Sequence, residues 1–115
     1  MVEQLDLLAA IPKRDTAAIL RLIAGDPLHQ RDREAVVEAI LDVADENDGA
    51  IDPNLVRPRI PAWVYPKVVG PTYSSLRAAK VISADGFVIY DDVKGGNAGR
   101  WVRRYRLVQR GEVAA

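Results

Sequence analysis

The chain contains no cysteine and only one histidine, His29, and both shortages narrow the chemistry it can perform. Without cysteine there are no disulfides, zinc–thiolate sites or thiol nucleophiles, and one histidine supplies at most one member of a triad or metal cluster. No apolar run approaches the roughly 20 residues of a membrane span. The first residues, Met-Val-Glu-Gln, do not resemble a signal peptide. We therefore expect a soluble intracellular protein without a cofactor and without catalytic activity.

A net charge of zero hides an uneven division of charge along the chain. Residues 1–55 carry five Lys and Arg against twelve Asp and Glu, a net charge of −7, whereas residues 56–115 carry eleven against four, a net charge of +7. Such asymmetry between halves favours a polyanionic partner for the basic half. The alternative is that the two halves neutralise each other within the fold.

The N-terminal residues predict two short helices. Residues 2–11 can form the first, which Pro12 should end, and Asp15 can cap the second. The second helix has an apolar stripe at helical spacing that includes Ile19 and Leu22. We expect this pair of helices to lean on the rest of the fold.

A longer helix is predicted over about 33–47, with Asp32 as its N-cap. Its apolar face comprises Val36, Val37, Ile40, Leu41 and Ala44. Gly49 suits the left-handed turn that ends such a helix. Asp52 and Pro53 then predict the N-cap and first residue of a short helix, which the following prolines stop within about two turns.

A third helix is expected to start near Gly70, with Pro71 at its first position. Its inward residues would be Val69, Tyr73 and Leu76, and its outward residues Thr72, Ser75 and Arg77. Trp63 and Tyr65, in the proline-rich segment before it, are expected to close the core, with stacking on bases as the alternative. Trp101 is open to the same two interpretations.

Two strands are predicted at 87–93 and 100–108, after a turn at "ADG", and they are joined by "KGGNAG". The glycines lie between strands, and neither Lys-Ser nor Lys-Thr follows them, so they match neither a Walker loop nor a dinucleotide fingerprint. Asp91 and Asp92 are adjacent on a strand and would point to opposite faces, which makes a poor metal pair. Glycines at 95, 96 and 99 instead predict a hairpin tip that allows positive φ and close approach to another surface.

The basic residues around the third helix and the hairpin predict contacts to nucleic acid. Lys and Arg neutralise phosphates, and small polar side chains on a helix can reach base edges. The candidate DNA-contacting residues are Lys67, Thr72, Ser75 and Arg77 at the helix, and Lys94, Asn97, Arg100, Arg103 and Arg104 at the hairpin. The alternative is that a polar hairpin simply has a solvated tip.

Three blocks, "GAIDPNLVR", "VYPKVVGPTYSSLRAAKVI" and "DGFVIYDDVKGGNAGRWVRRYRL", occur in this order. They resemble small winged-helix DNA-binding proteins encoded by actinobacteriophages, over about residues 34–108. In that group a "DPN-x-V-R" helix precedes an "IG-x-x-Y-x-x-L" recognition helix and a Gly/Asn-tipped wing that ends in "YRL". Pro71, Asp91 and Asp92 depart from the pattern. The resemblance implies a winged-helix fold and duplex DNA as partner, in the cytoplasm of an infected bacterial cell.

The predicted fold class is therefore α+β and mostly helical, a winged helix-turn-helix with a two-stranded wing and an added N-terminal helical segment. The expected divisions are 1–30 for that segment, 31–110 for the winged-helix domain and 111–115 for a flexible tail. Duplex DNA is the expected partner of a regulator of transcription or replication. The alternative is a protein-interaction module that binds a host bacterial protein, and a homodimer is compatible with either.

Overall fold

Helices and a small antiparallel sheet alternate along the chain in the computed structural model, which describes residues 19–21, 27–92, 96 and 98–108. The elements are α1 (Gln30–Glu46), β1 (Ala50–Ile51), α2 (Pro53–Val56), α3 (Val69–Ala78), β2 (Ile82–Ile89) and β3 (Trp101–Leu107). Short 3-10 turns occupy Pro27–His29, Arg57–Arg59 and Pro66–Val68. The fold is thus mixed α+β, as expected. The helix predicted at 2–11, the cap at Asp15 and the tail at 111–115 lie outside the described residues.

Helix α1 begins earlier than the sequence predicted, because the 3-10 turn Pro27–His29 runs directly into it. Asp32 is therefore not the N-cap, and that prediction was wrong. The residue lies within the first turn, and its carboxylate accepts a hydrogen bond from the backbone N–H of Tyr65 at 2.7 Å. Asp32 thus ties the start of α1 to the segment that leads into α3.

The core is built around the apolar face of α1. The five residues predicted for that face are all buried, and so are Ala39 and Val43. Ile19, from the N-terminal segment, is buried in the same cluster and confirms its predicted inward position. The other fully buried apolar residues come from four different elements, Ile51, Val56, Leu76 and Ile82. Each such side chain contributes roughly 1.5–3 kcal/mol relative to an exposed one.

The end of α1 and the start of α2 follow the sequence prediction. Gly49 has φ 92°, and its N–H donates to the carbonyl of Ala44 at 2.7 Å, which turns the chain out of the helix. Asp52 is the N-cap of α2, where its Oδ1 accepts from the N–H of Asn54 at 2.9 Å. Pro53 occupies the first helical position, where its missing N–H breaks no bond.

The sheet has the order β1-β3-β2, with both pairings antiparallel. β1 was not predicted, because a strand of two residues carries no alternating pattern. The turn expected at "ADG" was also wrong, since these residues lie inside β2. They form a bulge instead: the register passes from Ala84↔Tyr105 to Phe87↔Arg103, one extra residue on β2. Gly86 provides the positive φ, 87°, within the bulge.

Helix α3 lies against the sheet. The ring of Tyr73 stacks on that of Tyr105 in β3, with centroids 5.2 Å apart, and Leu76 is fully buried. The helix begins at Val69, so Pro71 is its third residue and not its first, and that prediction was wrong. Pro71 is exposed, in a turn whose N–H groups have no intrahelical partner. Within the described part of the chain, no helix is long and apolar enough to cross a membrane.

Candidate nucleic-acid interface

The exposed face of α3 consists of small residues with one arginine. Its solvent-exposed members are Gly70, Pro71, Ser74, Arg77 and Ala78. Thr72 does not belong to this face, which corrects the sequence prediction. It is fully buried, and its hydroxyl donates to the carbonyl of Val68 at 2.8 Å. Ser75 is only half-buried, and Ser74, which sequence reasoning missed, is the serine that projects into solvent.

Gly70 directly precedes Pro71 in the first turn of α3. A side chain before a proline disfavours the helical conformation, because its Cβ crowds the proline ring, and glycine avoids that crowding. Apart from its chain neighbours and the backbone of the helix, a Cβ built on Gly70 meets no heavy atom within 4 Å. The missing side chain therefore also leaves room for an external surface to approach the start of α3.

Basic side chains lie at both ends of this exposed face of α3. Lys67 lies in the 3-10 turn that leads into α3 and is exposed, as predicted. Arg77 is exposed in the last turn, and Lys80 follows it with φ 63°. Among the described residues, none of the three has an ion-pair partner.

The hairpin of β2 and β3 presents two of its arginines to solvent. Arg100 and Arg103 are exposed, and the guanidinium of Arg103 lies 5.5 Å from the ring centroid of Phe87. Gly96 and Gly99 have φ of 73° and 86°, as expected for the tip. Lys94, Asn97 and the glycine at 95 lie outside the described residues.

Arg104 differs from its neighbour because alternate residues of a strand point to opposite faces. Its Nε donates to the backbone carbonyl of Asp85 at 2.8 Å, and the Asp85 carboxylate lies 3.9 Å away. Arg106, on the same face, lies 3.7 Å from that carboxylate and donates to the carbonyl of Asp48. The predicted run of charge along the second strand is therefore divided between an unpaired Arg103 and an internally paired Arg104.

Two residues, one in α2 and one in the turn after it, contact the stem of the hairpin, which comprises residues 89–92 at the end of β2. The side-chain amide of Asn54 donates to the carbonyl of Ile89 at 2.9 Å and accepts from the N–H of Asp91 at 3.0 Å. Tyr90 between them bonds to Arg100 across the hairpin, so the groups that Asn54 reaches point away from β3. The side-chain amide of Asn54 thus makes the two hydrogen bonds that a neighbouring strand would make at the outer edge of β2.

Arg57 adds an ionic contact to the same stem. Its Nη2 lies 2.8 Å from Asp91 and its Nε 3.8 Å from Asp92. The hydrogen bond to Asp91, with smaller contributions from Asp92 and Tyr90, raises the pKa of Arg57 above its ordinary value. The pKa of Tyr90 is raised, chiefly by burial and then by the charge of Asp92. The two aspartates that would oppose phosphate are thus partnered within the fold.

An exposed aromatic cluster lies where the sequence predicted core. Trp63 is 53% exposed with the guanidinium of Arg31 4.8 Å from its ring centroid. Tyr65 is 44% exposed and stacks on His29 with centroids 5.1 Å apart. Core positions nearby are taken by Val64 and Val68, which leaves the aromatic rings on the surface.

Comparison with known proteins adds no assignment: no protein family, no curated protein and no solved structure matches the chain. Within the described ranges, no group of three or more His, Cys, Asp and Glu residues is arranged to hold a metal ion. The candidate site is therefore defined by geometry and charge alone. It comprises the exposed face of α3, its flanking basic residues and the hairpin.

Proposed function

We propose that the chain is a winged-helix protein that binds duplex DNA, with α3 as the recognition helix and the β2–β3 hairpin as the wing. In this proposal α3 enters the major groove and the hairpin contacts the flanking backbone or minor groove. Regulation of transcription or replication in a phage-infected bacterial cell is the role that agrees with the sequence resemblance.

The order of elements supports the winged-helix assignment. A helix, a short strand, two helices and a hairpin follow one another, and the short strand joins the hairpin in one antiparallel sheet. The short strand was not predicted from the sequence, so it supports the assignment independently of the sequence argument. The contacts of Asn54 and Arg57 give the hairpin a defined position relative to α2.

The observation that carries the proposal is the distribution of unpaired charge. Seven exposed basic residues form no ion pair with another described residue, and all but Arg21 and Arg31 lie on or next to α3 and the hairpin: Lys67, Arg77, Lys80, Arg100 and Arg103. The hairpin's acidic residues are neutralised by Arg57, Arg104 and Arg106. The unpaired charge that faces solvent near α3 and the hairpin is therefore positive, and it lies beside a helix face of small residues. Positive charge can bind the phosphate backbone of DNA, and a face of small residues can enter the major groove.

A salt titration of binding to random duplex, followed by fluorescence anisotropy, tests the proposal. We expect a dissociation constant on the order of 10⁻⁴ to 10⁻⁶ M at physiological salt, with steep weakening as salt rises. Arg100→Ala and Arg103→Ala should each lower the slope against log salt by about one. Arg106→Ala is the matched control, because its charge is already paired with Asp85. Absence of binding at low salt would overturn the proposal.

The exposed aromatic cluster supports a second candidate function, docking of a protein partner. Trp, Tyr and Arg are enriched among residues that dominate protein interfaces. Arg31 lies over the exposed ring of Trp63, and the exposed ring of Tyr65 follows two residues later in the chain. A photoreactive residue at 63 in infected cells should then crosslink to one host protein, whereas one at the exposed Ser83 should not. Equal labelling from the two positions would remove this candidate.

A further inference from the structure

One face of the hairpin carries large apolar side chains that the described fold leaves in water. Phe87, Ile89 and Trp101 are 56%, 55% and 69% exposed. Ile89 pairs directly with Trp101, and Phe87 with Arg103, so all four side chains lie on the same face. Contiguous exposed apolar residues of this size mark an interaction surface.

This apolar face continues the face of the sheet on which α3 packs. Tyr105 lies in the same alternating row of β3 as Arg103 and Trp101, and its ring stacks on Tyr73 of α3. The exposed residues of this face therefore begin immediately next to the part of the sheet that α3 covers, on the side toward the hairpin tip. A partner that lies along α3 meets this face of the hairpin next.

The charges around the apolar face favour a polyanion as its occupant. Arg103 is exposed on this face beside Trp101, and Arg100 is exposed directly before Trp101, at the end of β3 nearest the hairpin tip. Asp85, the acidic residue within the two strands, lies with Arg104 and Arg106 on the opposite face. Two copies of the chain joined through this face would bring their arginines together, which disfavours a second copy.

We infer that the hairpin acts as an apolar wedge, in which Trp101, with Ile89 beside it, enters the minor groove and partly unstacks one base step. The inference rests on the proposed function, because it presumes a duplex against α3. A duplex offers apolar contact at the sugar edges of the minor groove and between base pairs, and inserted apolar side chains kink it toward the major groove. Arg103, on the same face, and Arg100, at the end of β3 nearest the hairpin tip, contact neighbouring phosphates. Flexible pyrimidine–purine steps are the preferred targets, because they unstack most easily.

The test uses the full chain and a duplex of about 30 base pairs, end-labelled for energy transfer, with 2-aminopurine at a central TA step. We expect the wild-type protein to bend the duplex by at least about 20° and to raise the 2-aminopurine fluorescence. Trp101→Ala should lose both signals and bind roughly tenfold more weakly, with an unchanged salt slope. Trp101→Phe should keep most of the bend. Leu55→Ala, which removes an exposed apolar side chain on α2, is the matched control and should change nothing.

The outcomes separate the wedge from the proposed function. No binding by the wild type at low salt overturns both. Salt-dependent binding to a straight duplex, equal in the wild type and Trp101→Ala, overturns the wedge alone. If Trp101→Ala instead changes the sedimentation of the free protein while DNA bending persists, the apolar face covers another protein chain and the wedge is again overturned.

Discussion

Arg57 and Asp91 are joined by an ion pair of 2.8 Å, which connects the end of α2 to the stem of the hairpin 34 residues later. Asn54 makes two further hydrogen bonds to the same stem. The segment Asp52–Arg57 therefore performs three tasks: Asp52 caps α2, Val56 enters the core, and Asn54 and Arg57 hold the hairpin. These roles explain why aspartates occur in a hairpin that otherwise presents positive charge.

Removing the Arg57 charge should loosen the hairpin without unfolding the protein. In Arg57→Gln we expect faster hydrogen exchange at the N–H of Asp91, because that N–H is protected by Asn54 only while the stem stays docked. The amides of α1 should exchange as in the wild type. Combining Arg57→Asp with Asp91→Arg should restore protection. An unchanged exchange rate in Arg57→Gln would mean that Asn54 holds the stem alone.

Two neighbouring positions on α3 should respond differently to substitution. Thr72→Val replaces a buried hydroxyl by a methyl group of similar size, so we expect the free energy of unfolding to change by about 1 kcal/mol or less and DNA sequence preference to persist. Ser74→Ala should leave stability unchanged and alter sequence preference, because Ser74 is exposed on the face proposed to read bases. Binding-site selection on a randomised duplex measures both. A preference altered by Thr72→Val alone would contradict the orientation of α3.

Gly70→Ala should change DNA binding more than stability. The gain in helix propensity, up to about 1 kcal/mol, is opposed by crowding of the new methyl group against the ring of Pro71, so we expect the free energy of unfolding to change by about 1 kcal/mol or less. DNA affinity should fall, because the methyl group occupies space that an approaching duplex would use. Thermal melting and anisotropy on the same preparation give the two quantities. A variant that binds as well as the wild type would show that no surface approaches closely at this position.

Alkaline pH should destabilise the protein through Tyr73. Burial raises the pKa of Tyr73 far above its ordinary value, so the folded state retains the phenolic proton that the unfolded chain loses. The free energy of unfolding is therefore unaffected by Tyr73 below about pH 10. Above that pH it declines, by up to about 1.4 kcal/mol per pH unit, because only the unfolded chain loses the phenolic proton. Tyr73→Phe should flatten this decline, measured by urea unfolding at successive pH values. Tyr65→Phe, at an exposed ring, should leave it unchanged.

Local patterns accounted for most of the helical structure. The apolar face of α1 and the Asp52–Pro53 start of α2 were predictable because spacing and capping involve residues within one or two turns. Thr72 was misplaced because its orientation depends on the point at which α3 starts: the 3-10 turn at Pro66–Val68 joins α3 directly, and the Thr72 hydroxyl bonds back to that turn.

Contacts between residues distant in the chain could not be predicted from the sequence. The bonds from Asn54 and Arg57 join residues 34 to 37 positions apart, and no local pattern announces them. The exposure of Trp63 and Tyr65 was missed for a related reason. Their burial depended on whether other side chains filled the core first, and α1 supplied enough apolar residues to do so.

The extra residue in β2 determines which side chains share a face of the hairpin. Side chains alternate along a regular strand, so a ladder without the bulge would place Phe87, three residues after Ala84, on the opposite face from Ala84 and Tyr105. The bulge absorbs one residue, and Phe87 and Ile89 therefore lie on the face of Arg103 and Trp101 instead. The same sequence paired without the bulge would divide one apolar surface into two halves on opposite sides of the same ribbon, with Phe87 and Ile89 on the side of Arg104.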